Sequence, residues 1–360
     1  MGELNRERLD VVQVWRGLAA SLIVIVHVFL RLDYVSTSSE REFLIGNWVN
    51  LFFCEMGVDA FFVISGFIMV YISDQGTSQS GFLLKRALRI YPPYWIYSGM
   101  MIAVLFFVVP NDRRLGFDFV DLTRALFLIP TINDVTKNIF PLFLSQGWTL
   151  IYELFFYLVF FLFLKVGSVA RTVLTSVVLV VFHLIAIKTG LFDGAVKWLF
   201  SDSVMLEFII GMLLGLFYTK TRFSIRKGVA WLLAGIGVVW FIYFQINEYQ
   251  GWGVRIVSYC IPLSLLFAAT VFCEELKAIQ FPKALLWLGD ASYSIYLTHT
   301  IVIFGFARLN RKNGVFADVS LDVQFVLILL TALAVGVLLY QFVEKQTNRL
   351  SRVLIKKVVR

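Results

Sequence analysis

The chain has 360 residues, 59% of them hydrophobic and 16% charged, and its mean hydropathy is +0.81. Soluble domains run near about 45–50% apolar and about 25% charged residues, so this composition excludes a water-soluble globule and makes a bilayer the solvent. The net charge of +8 sits in Lys/Arg blocks between apolar runs, a topology pattern rather than a nucleic-acid footprint.

A helix needs about 20 apolar residues to cross the hydrocarbon. That ruler predicts ten spans: 11–32, 48–72, 94–109, 148–164, 172–188, 204–218, 229–246, 256–273, 285–309 and 323–343. The third, fourth and sixth are short. A weaker stretch over 119–130 is expected to be an interfacial segment. The first run is too long for a typical signal-peptide core and is expected to be retained. The expected fold is therefore an all-α polytopic transmembrane helical bundle of about 10 spans. Basic clusters such as Lys85–Arg89, Lys220–Lys227 and Lys345–Arg360 favour N- and C-termini on the cytoplasmic side. Residues 1–344 read as one membrane domain and 345–360 as a basic cytoplasmic tail, a retention signal that can touch anionic lipid.

Ionisable residues inside spans are costly and are functional candidates by default. In the first span Arg16 and His27 are 11 residues apart, which returns them to within about 20° of one helical face. Arg16 can snorkel to the headgroups, and His27 can simply bond a neighbouring helix. In the second, Glu55 and Asp59 stand at i, i+4; the pair suits a metal or proton site, and Asp59 equally suits a packing ion pair. Arg86 and Arg89 come next, at i, i+3, where two guanidinium groups can converge on one anion or mark a stop-transfer cluster. Trp148 precedes Glu153 and Tyr157, again at i, i+4, in the fourth span. His183 lies in a featureless Val/Leu-rich span and receives no role. Tyr293, Tyr296 and His299 form a polar stripe in the ninth. The cysteines, Cys54, Cys260 and Cys273, show neither metal nor disulfide spacing. No Gly-rich phosphate loop, nucleophile elbow or metal-binding His/Glu pair is present, so no metal site is expected.

Five stretches taken in order resemble the integral membrane acyltransferase family 3. They are Trp15-Arg16-Gly17-Leu18-Ala19-Ala20 with His27; Gly57-Val58-Asp59 through Ser65-Gly66-Phe67; Arg86 to Arg89 with Ile90-Tyr91-Pro92; Trp148-Thr149-Leu150 with Glu153 and Tyr157; and Leu288-Gly289 followed by Ser292 to His299. The run Val12-Gln13-Val14-Trp15-Arg16 is most similar to the exopolysaccharide-production (ExoZ-like) branch. Trp15 replaces a usual Leu, and Glu344-Lys345-Gln346 replaces a common Glu-Lys-Pro.

The resemblance implies an O-acyltransferase of the bacterial cytoplasmic (inner) membrane. It would move an acyl group, acetyl first, from cytoplasmic acyl-CoA to a hydroxyl of a surface or exopolysaccharide sugar or its lipid-linked precursor. No permanently bound cofactor is implied; acetyl-CoA is a co-substrate. His27 would be the catalytic base, with Glu153 or Asp59 orienting it. Arg16, Arg86 and Arg89 would hold the CoA phosphates, and Trp148, Tyr157, Tyr296 and His299 would support the substrates. Buried charges of this kind also suit a proton-coupled transporter or flippase, although the inverted repeats frequent in transporters are absent.

Overall fold

The computed structural model describes residues 9–39, 41–46, 56–74, 81–108, 119–131, 144–221, 223–247, 255–277 and 279–358. Helices account for nearly all of them. In chain order they are α1 (Asp10–Ser39), α2 (Met56–Asp74), α3 (Phe82–Val108), α4 (Phe119–Phe127), α5 (Gly147–Leu162), α6 (Ser168–Lys188) and α7 (Gly194–Ser201). A 3-10 turn over Ser203–Leu206 leads into α8 (Glu207–Thr221), followed by α9 (Lys227–Ile246). A π turn (Ile256–Cys260) opens α10 (Ile261–Val271), and the short α11 (Glu274–Lys277) precedes α12 (Lys283–Asp290) and α13 (Ser292–Asn313). Finally α14 (Leu321–Leu339), a second π turn (Tyr340–Glu344) and α15 (Lys345–Val358) form one continuous rod.

Among the described residues, six helical runs are long and apolar enough to cross a membrane: Asp10–Ser36, Met56–Asp74, Ser168–Lys188, Ser203–Thr221, Lys227–Ile246 and Leu321–Lys357. The chain is a multi-pass membrane protein. The apolar helices Gly147–Leu162 and Ile256–Val271 are shorter. α3 and α13 have the length, but the charges of α3 and the polar stripe of α13 lower their hydropathy.

Several predicted boundaries move. The basic segment before the third span is helical, so Arg86 and Arg89 lie within α3 rather than on a connecting segment, with Pro92 and Pro93 inside the same helix. A proline lacks the N–H that would return to the carbonyl four residues back. The Leu88 carbonyl, which Pro92 leaves free, accepts the Ser351 hydroxyl of α15 at 3.2 Å. The ninth predicted span is two helices, α12 and α13. The start of the second, with Glu55 and Cys54, lies outside the described residues.

The segment 119–130 contains α4, which docks on α3. A helix leaves its last carbonyls without partners; here three α3 side chains supply them. Tyr94 Oη donates to the Ala125 carbonyl at 2.7 Å, Trp95 Nε1 to Leu126 at 2.9 Å and Tyr91 Oη to Phe127 at 3.2 Å.

The tightest helix pair is α2 with α8. A Cβ added to Gly66 would come within 2.2 Å of the Phe208 carbonyl oxygen, and one on Gly211 within 2.0 Å of that of Val63. Only glycine lets these backbones meet, the usual route to helix association in lipid. Asp59 and Glu207 sit in the first turns of the two helices, and Asp74 meets Lys220 at 2.9 Å at their far ends, so the pair runs parallel. Beside it an aromatic core joins α2, α5 and α8: Phe208 stacks on Phe156 with centroids 4.2 Å apart and meets Phe62 at 4.8 Å.

Gly211→Val would force the α2 and α8 backbones apart. Overpacking of this kind costs about 1–3 kcal/mol, so the detergent-solubilised variant should melt several degrees below the parent protein. An unchanged melting temperature would contradict the close contact.

Candidate active site

A small cavity of about 70 Å³ opens between α1, α2, α3, α5 and α13. α1 supplies Arg16, α2 supplies Ser65, α3 supplies Arg86 and Arg89, α5 supplies Glu153 and Tyr157, and α13 supplies Tyr293 and Tyr296. Helical spacing explains the pairs, since residues three or four apart project from one face. Tyr157 Oη donates a short hydrogen bond to Glu153, and the Ser65 hydroxyl reaches the same carboxylate at 3.5 Å. The Arg86 guanidinium lies 5.5 Å from the Tyr157 ring centroid and 5.6 Å from that of Phe82. Its Nε is buried and has no hydrogen-bond partner among the described residues.

Arg16 and Arg89 stand within electrostatic range of Glu153 and of Glu344. Glu344, 4% exposed, ends the second π turn and accepts the Ser294 hydroxyl at 2.5 Å, while Ser294 shares a 2.7 Å hydrogen bond with Tyr97. Asp290 also lies within electrostatic range of Arg16. The cavity lining itself holds three arginines and one glutamate, a surplus of positive charge.

His27 is not part of the cavity lining. It stands against His299, ring centroids 4.8 Å apart, and His299 lies 6.3 Å from the Tyr296 ring that does line it. The bonding partners fix the tautomers. His27 Nδ1 is 2.8 Å from the Ile23 carbonyl oxygen, which can only accept, so Nδ1 carries a proton and, in the neutral imidazole, Nε2 keeps the lone pair. His299 Nδ1 likewise faces the Ile295 carbonyl at 3.3 Å, leaving its Nε2 to accept from Gln146 Nε2 at 3.5 Å. Thr300 donates to Gln146 Oε1 at 3.3 Å. Tyr296 Oη meets the Gln146 carbonyl at 3.0 Å and Thr149 Oγ1 at 2.9 Å. A polar network therefore joins His299 to the cavity wall, with His27 in ring contact with His299.

The structure brings Arg16, Arg86, Arg89, Glu153, Tyr157 and Tyr296 together in one place. Trp148 packs instead against Phe62 and Tyr152. Asp59 is fully buried outside the cavity lining, held by Arg255 through Nε to Oδ1 at 3.1 Å and Nη2 to Oδ2 at 3.0 Å. Asp59 thus engages Arg255, and Glu153 engages Tyr157 and Ser65, so neither carboxylate is seen orienting the His27 imidazole. His183 bonds the Phe200 carbonyl at 2.9 Å, a helix-to-helix tie. Among the described residues, no group of three or more His, Cys, Asp or Glu is placed to hold a metal ion.

Sequence reading missed four groups here. Arg255 and Glu207 complete the second cluster, 3.7 Å apart; each sits at a helix start, where a charge looks like an ordinary boundary residue. Glu344 reads as the polar end of the last span, and Gln146 as a loop residue. Both acquire meaning only from their partners.

A profile of the acyltransferase domain of family 3 matches residues 9–341. The chain belongs to the acyltransferase 3 family. Within it, the chain is 33% identical over 306 residues to the exopolysaccharide production protein ExoZ of Rhizobium meliloti, covering 82% of this chain and 90% of ExoZ. It is 26% identical over 325 residues to the O-acetyltransferase OatA of Staphylococcus aureus, covering 80% of this chain and 52% of OatA. The chain thus spans about half the length of OatA. No solved structure matches this acyltransferase 3 chain.

Removing one partner from a buried ion pair strands the other charge, at a cost of about 3–5 kcal/mol. Arg255→Gln should therefore lower thermal stability sharply, because it leaves Asp59 and Glu207 without their shared cation, whereas Glu207→Gln should be tolerated far better. Equal melting temperatures for the two variants would refute this apportioning of the charge.

Proposed function

We propose that this acyltransferase 3 protein is an acyl-CoA-dependent O-acyltransferase of the bacterial cytoplasmic membrane. It transfers acetyl first among acyl groups to a hydroxyl of a surface or exopolysaccharide sugar or its lipid-linked precursor. One observation carries the reading: Arg16, Arg86 and Arg89 converge on a single cavity where the buried Arg86 Nε has no acceptor among the described residues. A positive cavity with an unused charged donor suits the phosphates of coenzyme A. The name of OatA, an O-acetyltransferase, supports the acetyl group, and that of ExoZ, an exopolysaccharide production protein, supports the class of acceptor.

The topology that goes with this has ten spans. The six long apolar runs and the two shorter ones are joined by α3 and α13, whose polar residues face the cavity rather than lipid. The N-terminus and C-terminus are cytoplasmic, which puts Arg86 and Arg89 on the side where acyl-CoA is made. Asp59, Glu207 and Arg255 then belong to the opposite half of the bundle.

A sugar hydroxyl keeps its proton at neutral pH and is a weak nucleophile. In the proposed step, His27 Nε2 accepts that proton as the hydroxyl oxygen attacks the thioester carbonyl carbon. The tetrahedral intermediate then collapses with cleavage of the C–S bond. The proton passes from the imidazolium to the departing sulfur, so the products are the ester and the free thiol. The Nδ1 bond to Ile23 keeps the ring in the tautomer this requires. His299 packs the ring from one side and is itself bonded to Gln146, and Tyr296 connects His299 to the donor cavity. Glu153, fixed by Tyr157, holds the arginines in place between turnovers.

General-base catalysis contributes about 10²–10⁴-fold. His27→Ala should lose acyl transfer by at least that factor while the purified protein keeps its melting temperature; full turnover in this variant would end the proposal. Arg86→Gln combined with Arg89→Gln removes charge-assisted bonds worth about 1.5–3 kcal/mol each. The KM for acetyl-CoA should then rise by more than about tenfold, and an unchanged KM would rule out a phosphate clamp.

A further inference from the structure

α15 carries charge that acyl transfer does not use. The helical run Leu321–Lys357 rises about 55 Å at about 1.5 Å per residue, against a hydrocarbon core of about 30 Å. Its last turns must therefore leave the core through the headgroup layer, beside the start of α3. The sequence of α15, KQTNRLSRVLIKKV, contains five Lys or Arg and no acid.

At about 100° per residue, three faces emerge. Ser351 is buried and Ile355 half-buried on the face that meets α3, where Ser351 bonds the Leu88 carbonyl released by Pro92. Leu350, Val353 and Leu354 form a second face and are 64%, 50% and 50% exposed. Lys345, Arg349, Arg352 and Lys356 fall within about 60° of one another on the third, all of them exposed. An exposed apolar strip with Lys357 at its last turn, bordered by cations and free of acids, matches the boundary between phosphate headgroups and acyl chains.

We propose that α15 is a binding site for anionic phospholipid headgroups. The four cations engage headgroup phosphates, and Leu350, Val353 and Leu354 sit at the upper acyl chains. The contact with α3 holds these faces in a fixed orientation, so the site is built by the fold rather than by a loose tail. The first residue of α15 follows Glu344, and its Ser351 bonds Leu88, the neighbour of the cavity residue Arg89. The inference does not depend on which acyl group or acceptor the enzyme uses.

The test is hydrogen exchange of residues 345–358 in the full-length protein, reconstituted in nanodiscs of phosphatidylcholine alone or with phosphatidylglycerol. Phosphatidylglycerol should slow exchange in this segment by about tenfold or more. The variant with Lys345, Arg349, Arg352 and Lys356 all changed to Gln should lose that difference while keeping its melting temperature. Leu354→Ser should weaken it partially. Equal exchange of the parent protein in the two membranes would overturn the proposal, and so would slowing that survives in the Gln variant. Slowing produced by inorganic phosphate in phosphatidylcholine alone would reveal a free-anion site instead of a lipid site.

Discussion

A guanidinium keeps its charge at any pH a cell tolerates, so each arginine inside an apolar bundle must find an anion, a strong dipole or a cavity. Much of this architecture stems from that demand. Arg16 and Arg89 draw Glu153 and Glu344 towards the cavity from α5 and from the turn after α14. Arg255 gathers Asp59 and Glu207 at the other cluster. The helices that carry these residues are thereby fixed in order and rotation, in a solvent where apolar contacts alone discriminate weakly between partners.

The irregular turns of the backbone coincide with these charges. Arg255 directly precedes the π turn Ile256–Cys260, and Glu344 closes the π turn Tyr340–Glu344. A π turn adds a residue to the helical register and re-aims the side chains beyond it, and such turns are frequent at functional sites. Pro92 does comparable work in α3, releasing a carbonyl that α15 then occupies. The exceptions to ideal helix geometry are therefore located where side chains must be turned towards the interior.

The two polar clusters differ in what they can do. In the Asp59–Glu207–Arg255 group Arg255 holds Asp59 by two hydrogen bonds and reaches Glu207 at 3.7 Å, which suits a locking role between α2, α8 and the start of α10. The arginine cavity opens between five helices, and its lining carries surplus positive charge. The imidazole pair lies beyond it, connected through Tyr296 and Gln146. The proposed acyl transfer would use this asymmetry, with an anionic donor at the arginines and a base at the imidazoles.

The helical class, the membrane setting and the conspicuous residues were legible in the sequence, because a charge or imidazole within an apolar run costs enough to stand out. Arg16, Arg86, Arg89, Glu153, Tyr157 and Tyr296 are conspicuous in this way, and the structure gathers them. What the sequence could not do was sort the acids: Asp59 and Glu153 look alike in an i, i+4 pattern, yet one is locked to Arg255 and the other lines the cavity. Nor could it assign Glu344, Gln146 or Arg255, which read from the sequence as helix ends, where polarity is ordinary. Periodicity reports which residues share a face of their own helix. Which helix that face meets is decided only by packing, through the Gly66–Gly211 contact, the π turns and the ion pairs between segments far apart in the chain.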